Sequence, residues 1–306
     1  SDCIALLQWL DNNNHSWSYY VKELASRINL PLPEEKHQEV LKKNYKICMK
    51  YYNNMTDEAY DYIYDRGVDN DTLDKWYIGF DSYDNRIVFP LFDSYGNVLG
   101  FNKRLIDAKT KGVKQKYIHS SNSDVFEKSK YIYGLNHIDK NADYIILTEG
   151  VFDVILPQQF GVKNTICALG TTLSDYQIDL LARYNKLLII AYDCDEKGQK
   201  TLKKIIPQLQ EAGINTKVLP LPEGKDLADL SLQLKDNLLD YIMNNAITYA
   251  YYQAKEIIND YNKELFELNY KYTKLMKSID YDINDKEFIE TYIQSIMKPV
   301  IGGGKY

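Results

Sequence analysis

Tyr144-Ile-Ile-Leu-Thr-Glu-Gly-Val-Phe-Asp153 is the stretch on which the fold turns. A short apolar run stops at Glu149-Gly150, and sequence of helical spacing follows at once. The same grammar returns at Leu187-Leu-Ile-Ile-Ala-Tyr-Asp-Cys-Asp195, where a second apolar run ends on two acids. Asn164–Leu169 and Asn215–Leu219 are two more short apolar runs, and Val151–Phe160, Leu173–Tyr184 and Lys197–Ala212 between them have the length and spacing of helices. Such alternation predicts right-handed βαβ units and an α/β fold with a parallel sheet covered on both faces. Ligands of a sheet of this kind collect beyond the carboxyl ends of its strands.

Acids stand at those ends. Glu149 follows one strand, with Asp153 a turn later; Asp193 and Asp195 follow another; Gly224-Lys225-Asp226 and then Asp229 come just after the Asn215–Leu219 run. Taken singly, each has a bland reading: an aspartate after a strand commonly caps the next helix, and Asp153 would be a first-turn charge that the helix dipole favours. Asp229 divides evenly between the two readings. Taken together, carboxylates converging on one rim repel one another and call for cations. Oxygen donors without His or Cys nearby favour Mg²⁺ or Mn²⁺ over zinc. Gly150 lets backbone approach a phosphate where a β-carbon would intrude. The chemistry this implies is metal-assisted phosphoryl transfer.

Outward from this centre the pattern changes. On the N-terminal side, apolar residues at helical spacing (Ile4, Leu7, Leu10; then Tyr20, Leu24, Ile28) predict two short helices ended by Pro31 and Pro33, and Glu34 to Lys43 reads as a linker or a solvated helix. Thr56-Asp57-Glu58 starts a further helix that ends at Asp65-Arg66-Gly67, and Asn70 to Trp76 is another. Arg86–Phe92 and Val98–Arg104 predict a hairpin about the turn Asp93 to Asn97. After Leu230 the sequence reads as all helical, with a single apolar stripe through Leu239, Ile242, Ala246, Tyr249, Ile257, Tyr261, Leu265, Leu268 and Tyr272. The domains expected are 1–33, a helical segment; 34–138, an α+β subdomain; 139–230, the α/β domain; and 231–306, a helical subdomain.

Composition sets the outer limits. The chain has 306 residues, 45% of them hydrophobic, enough to bury a sizeable core and to exclude disordered, collagen-like and small disulfide-scaffold classes. Its 4 cysteines and 4 histidines are scattered, without a C-x-x-C pair, which argues against a disulfide framework or a zinc module. No apolar run is long enough to cross a bilayer, so no membrane partner and a cytoplasmic location are expected. Lys and Arg number 37 against 43 Asp and Glu, for a net charge of −6, which opposes a uniformly basic nucleic-acid coat but leaves local patches open. One such patch is visible: between Lys103 and Lys130 stand Lys103, Arg104, Lys109, Lys111, Lys114, Lys116, Lys128 and Lys130 against Asp107, Asp124 and Glu127. A solvated loop accounts equally well for Lys109, Lys111 and Lys114.

The ordered set E-G-x-x-D, D-x-D and G-K-D resembles the TOPRIM domain that DnaG-type primases share with topoisomerases and some nucleases. What precedes it narrows the choice. Arg86-Ile-Val-Phe-Pro-Leu-Phe-Asp93 with Gly96-Asn-Val-Leu-Gly-Phe-Asn-Lys-Arg104 is similar to the "FP…D..G…GF..R" hairpin of bacterial-type primases. Lys116-Tyr117-Ile-His-Ser120, Phe126-Glu-Lys-Ser129 and Tyr133-Gly-Leu135 resemble their "KY.NS…F.KS..LYGL" stretch, and Leu169-Gly170-Thr171 their "LGT". His119 stands where the family often has Asn, and Asp226-Leu-Ala-Asp229 where it commonly has D-P-D. The likeness spans roughly residues 55 to 230 and implies the RNA polymerase core of a DnaG-type primase from a bacteriophage. Asp2 to Leu30 resembles the helical tail after the family's N-terminal zinc-binding domain; its zinc ligands are absent, so no zinc is expected in this fragment.

The resemblance also implies roles. Asp193, Asp195 and Asp226 would be metal ligands, with Glu149 either a further ligand or the base for the 3′-hydroxyl proton. Asp153, Gly150, Gly170 and Asp229 would support the site. Arg104, Lys116 and Lys128, inside family motifs, would contact phosphates, with Tyr117 beside them; His119 would meet a nucleotide phosphate or simply bond a loop. The implied cofactors are two or more Mg²⁺ or Mn²⁺ ions, typically ~3.5–4 Å apart. The implied partners are a single-stranded DNA template, NTPs and a replicative helicase. Two alternatives remain: a TOPRIM nuclease using the same acids, and a fragment that binds single-stranded DNA or helicase without initiating.

Overall fold

The computed structural model describes residues 10, 17–27, 35–106, 115–170, 172–193, 195–259 and 291. Ile4 and Leu7 of the expected first helix, the lysines at 109, 111 and 114, and the apolar stripe beyond residue 259 lie outside the described residues.

Helix α1 (Trp17–Arg27) precedes α2 (Glu35–Tyr52), α3 (Asp57–Asp65) and α4 (Asn70–Lys75). From Glu35 the charged stretch is a helix that runs on to Tyr52, because one of its faces has somewhere to rest. Cys48 is buried among Val88, Val98 and Phe101, and the Asn44 amide donates to the carbonyls of Val98 and Leu99 at 3.1 and 3.0 Å. Thr56 and Asp69 cap α3 and α4, each accepting the backbone N–H three residues on.

Four antiparallel strands follow: β1 (Gly79–Asp81), β2 (Arg86–Phe92), β3 (Val98–Leu105) and β4 (Tyr117–His119), in the order β1-β2-β3-β4. The expected hairpin is β2–β3, and its turn is held by Asp93, whose Oδ1 accepts from the backbone of Tyr95 and Asn97 at 2.8 and 2.9 Å. The outer strands β1 and β4 have only three residues each, too few to show a period in sequence.

The second sheet is parallel, built from β5 (Tyr144–Thr148), β6 (Thr165–Cys167), β7 (Leu187–Ala191) and β8 (Thr216–Val218) in the order β6-β5-β7-β8. Helices α5 (Phe152–Gln159), α6 (Asp175–Tyr184) and α7 (Glu196–Glu211) connect the strands. Both faces are apolar, as strands covered on two sides require. Ile145, Leu147, Leu188 and Ile190 pack with Leu181, Ile205 and Leu209, while Ile146, Ile189 and Ala191 pack with Leu227, Leu230 and Ile242. A third cluster joins the two halves: Trp76, Phe89 and Leu91 meet Tyr133, Phe152 and Ile155.

The C-terminal stripe is not continuous. Helix α8 (Leu227–Leu234) leads through a 3₁₀ turn into α9 (Leu238–Asn245), the chain turns extended at Ala246, and Ile247 forms an antiparallel bridge with Val218 before α10 (Tyr249–Asn259). Apolar spacing cannot reveal this break, because Ala246 and Ile247 stay apolar while they leave the helix. Tyr133 does the same at the opposite edge, bridging Cys167. Both edges of the parallel sheet are thereby covered.

Candidate active site

Strands β5 and β7 are neighbours in parallel register, with Thr148 opposite Ala191. Glu149 and Asp193 therefore leave the same end of the sheet side by side. Lys197 Nζ lies 3.9 Å from Glu149 Oε2 and, with the Asp193 backbone, favours the charged form of that carboxyl. Burial, then the negative charge of Asp193, raises the Glu149 pKa. Asp193 is raised by burial and next by Asp226 and Asp195, with Lys197 opposing. These acids feel one another because they share one rim.

Asp195 caps α7: its Oδ1 accepts the N–H of Gly198 at 2.7 Å. Asp226 caps α8 in a reciprocal box, Oδ1 accepting from Asp229 N at 2.8 Å while Asp229 Oδ2 accepts from Asp226 N at 3.3 Å. The cap engages Oδ1 of each, and Asp226 also contributes to the field at Asp193. Asp153 is buried, accepts from Gly150 N at Oδ2 and from Ala228 N at Oδ1, both at 3.1 Å, and is pushed up to about 8 by burial and by Asp226.

A basic and aromatic cluster faces these acids. Arg104 is 5% exposed, donates through Nε and Nη1 to the hydroxyls of Tyr62 and Tyr117, and lies over the Tyr62, Tyr117 and Phe152 rings at 5.8, 5.2 and 5.0 Å. Arg66 lies over Tyr62 and Phe152 at 5.7 and 5.4 Å. The Lys116 pKa falls through burial and the repulsion of Arg104 and Arg66, against the pull of Asp226 and Asp153. Three cations crowded against one another form a seat for an anion. Sequence reasoning misses Arg66, because Asp65-Arg66-Gly67 reads only as the end of a helix.

Lys128, His119 and Gly170 form a separate group. Gln177 on α6 bonds the carbonyls of Lys128 and Tyr131 at 3.5 and 2.7 Å, fixing the 3₁₀ turn Lys128–Lys130. The Lys128 ammonium lies 3.8 Å from where a β-carbon on Gly170 would stand. His119, lowered to about 4 by burial and then by Lys128, is neutral at pH 7, and its buried Nδ1 makes no hydrogen bond.

Among the described residues, no three His, Cys, Asp or Glu side chains stand close enough together to hold a metal ion. Mg²⁺ brings waters and substrate phosphates as ligands and needs only one or two protein carboxylates. The donors nevertheless fit a hard divalent cation, being carboxylate oxygens that raise one another's pKa.

Residues 146–231 match the Toprim-like family, and residues 80–139 match the N-terminal domain of the DNA primase catalytic core. A DNA primase of Clostridium acetobutylicum is 27% identical over 337 aligned positions, covering 94% of this chain and 56% of the relative. The fold is shared with the RNA polymerase domain of the Mycobacterium tuberculosis primase DnaG, at TM-score 0.71 and 19% identity over 85% of this chain and 98% of that one. It is shared too with a DnaG primase catalytic domain bound to ssDNA, at TM-score 0.62 and 19% identity, with coverage of 85% and 98%. The chain thus spans little more than half the length of the Clostridium relative.

Proposed function

Because the chain belongs to the DnaG-type primase family, whose Toprim domain and preceding core segment it carries, we propose that it synthesises short RNA primers on single-stranded DNA. The observation that carries this reading is the facing of two fields. The carboxylate rim of Glu149, Asp193 and Asp226 stands opposite Arg66, Arg104 and Lys116. A polymerase needs both, one for the reacting phosphate's counter-ions and one for the phosphates themselves.

In this reading the site takes two or more Mg²⁺ or Mn²⁺ ions held by Glu149, Asp193, Asp195 and Asp226. When bound, they supply neutralisation of the pyrophosphate leaving group and a more acidic primer 3′-hydroxyl. The chain's own residues do the rest. Lys116 and Arg66 hold triphosphate oxygens, Lys128 holds template phosphate beside Gly170, and Glu149 is either a further ion ligand or the base that takes the hydroxyl proton. Tyr62 and Tyr117 keep Arg104 in one orientation, so that it acts through the field it imposes on Lys116. Asp153 and Asp229 hold the loops that carry the ligands. Residues 34–138 and 139–230 would be the working halves, the cell's cytoplasm the setting, and a replicative helicase the partner.

Incubation with single-stranded DNA, labelled NTPs and Mn²⁺ tests the proposal. Short labelled RNA is the expected product. Shortening of the DNA would replace it with a nuclease, and DNA binding without RNA would reduce the chain to a non-initiating fragment.

A further inference from the structure

Gly198 stands third in α7 and bears no side chain, yet it touches the loop that carries two of the rim acids. Its N–H is the donor that fixes the Asp195 carboxylate, at 2.7 Å. A β-carbon at this position would overlap the carbonyl oxygen of Asp193 and lie 3.1 Å from its carbonyl carbon. Only a residue without a side chain lets the Asp193 peptide lie against the helix here. The negative charge of Asp193 in turn raises the Glu149 pKa, so the acid on this loop and the one after β5 share a rim. Glycine in the first turns of a helix carries an entropic penalty against alanine, and Gly198 is buried with a φ outside the left-handed region, so conformation does not demand it. The close approach of Asp193 does.

We infer that Gly198 is a positioning residue for the metal rim: its bare α-carbon seats the Asp193 carbonyl and its N–H holds Asp195, so that Asp193, Asp195 and Glu149 keep one register. The inference rests on the function proposed above, in that it takes these acids as the cation-binding set. With any side chain at 198, Asp193 moves off the helix and no longer approaches one ion together with Glu149.

The test is direct Mn²⁺ binding by the full chain, read as loss of the free-ion paramagnetic resonance signal, for the parent, Gly198→Ala and Gln208→Ala. Gln208 is an exposed residue of the same helix. Gly198→Ala is expected to bind Mn²⁺ at least ten-fold more weakly with unchanged circular dichroism, and Gln208→Ala to match the parent. Equal binding by the parent and Gly198→Ala overturns the inference while leaving the proposed function standing; a parent that binds no Mn²⁺ removes the function instead. Should Gly198→Ala not fold, hydrogen exchange on the metal-free parent decides. The Gly198 amide, held by Asp195, is expected to exchange at least ten-fold more slowly than an open loop, and exchange at the open-loop rate overturns the inference.

Discussion

Asp153 Oδ1 accepts the backbone N–H of Ala228 at 3.1 Å, which pins the loop after β5 to the first turn of α8. Its other oxygen takes Gly150 N, so one buried carboxyl ties the Glu149 loop to the helix that Asp226 caps. Asp226 satisfies the N–H of Asp229 and Asp153 that of Ala228, two of the donors that a helix start leaves unpaired. An amide in place of the carboxyl has a single acceptor oxygen and turns an NH₂ toward the other N–H. Asp153→Asn is therefore expected to lose about 1–3 kcal/mol of stability, read from urea midpoints. With its pKa near 8 the Asp153 carboxyl is largely protonated at pH 7 without cations, so the loss reflects hydrogen bonding rather than charge. An unchanged midpoint would show that the bridge does not hold the loops.

Asp193→Ala separates function from folding. The carboxyl is raised by burial and by Asp226 and Asp195, so its removal relieves repulsion in the metal-free chain. Primer synthesis should fall to background while the melting temperature in EDTA stays level or rises. A variant that still makes RNA at the parent rate would remove Asp193 from the reaction.

How much of the fold and the site is legible in the sequence depends on the physical scale of each signal. Strand β5 is legible to its last residue, because a short apolar run that ends on Thr148, an acid and a glycine reads as a strand buried on both faces. Its acid follows directly. β1 and β4 are hidden because three residues carry no period. The caps at Asp195 and Asp226 are visible as an alternative to a metal role, and the fold assigns the caps while leaving both acids on the rim. Arg104 is legible as a cation but not as a buried one; nothing local shows that Tyr62, more than forty residues earlier in the chain, closes over it. Arg66 is missed for the opposite reason, since a basic residue at a helix C-terminus already suits the helix dipole.

Arg66 and Arg104 should respond differently to substitution. Arg66→Ala removes one phosphate-facing cation, and binding of single-stranded DNA or NTP should weaken with the slope of log affinity against log salt reduced by about 1. Arg104→Lys keeps the charge but not a planar fork that reaches two phenols at once, and should cost about 1–3 kcal/mol in urea. A salt slope unaffected by Arg66→Ala would place the nucleic-acid phosphates elsewhere.

Lys197 is the counter-charge nearest Glu149, and it lowers the pKa of both Glu149 and Asp193. An incoming cation must compete with it. Its side chain is 64% exposed, so the interaction is worth about 1 kcal/mol at most. Lys197→Ala should tighten Mn²⁺ binding by up to about five-fold in the same resonance titration. Weaker binding would mean that the ammonium positions the rim instead of competing for it.

Acid stability tests the two histidines half-buried by this fold. His119 and His137 are both lowered to about 4, by burial and then by Lys128 and Lys75 respectively. An unfolded chain binds protons at these residues below about 6.5, whereas the folded chain refuses them until pH 4. The unfolded state thus holds more protons across that window, and stability falls as pH drops from 6.5 to 4. Asp153 acts in the other direction, since its folded pKa near 8 lies above the ordinary 3.8 and it favours the folded state increasingly as pH falls through that range. The histidine contribution is isolated by difference. A variant carrying His119→Gln and His137→Gln should lose less stability than the parent between pH 6.5 and 4, with both traces parallel above pH 7. Parallel traces through the whole range would show that the two imidazoles take up protons in the folded chain as readily as in the unfolded one.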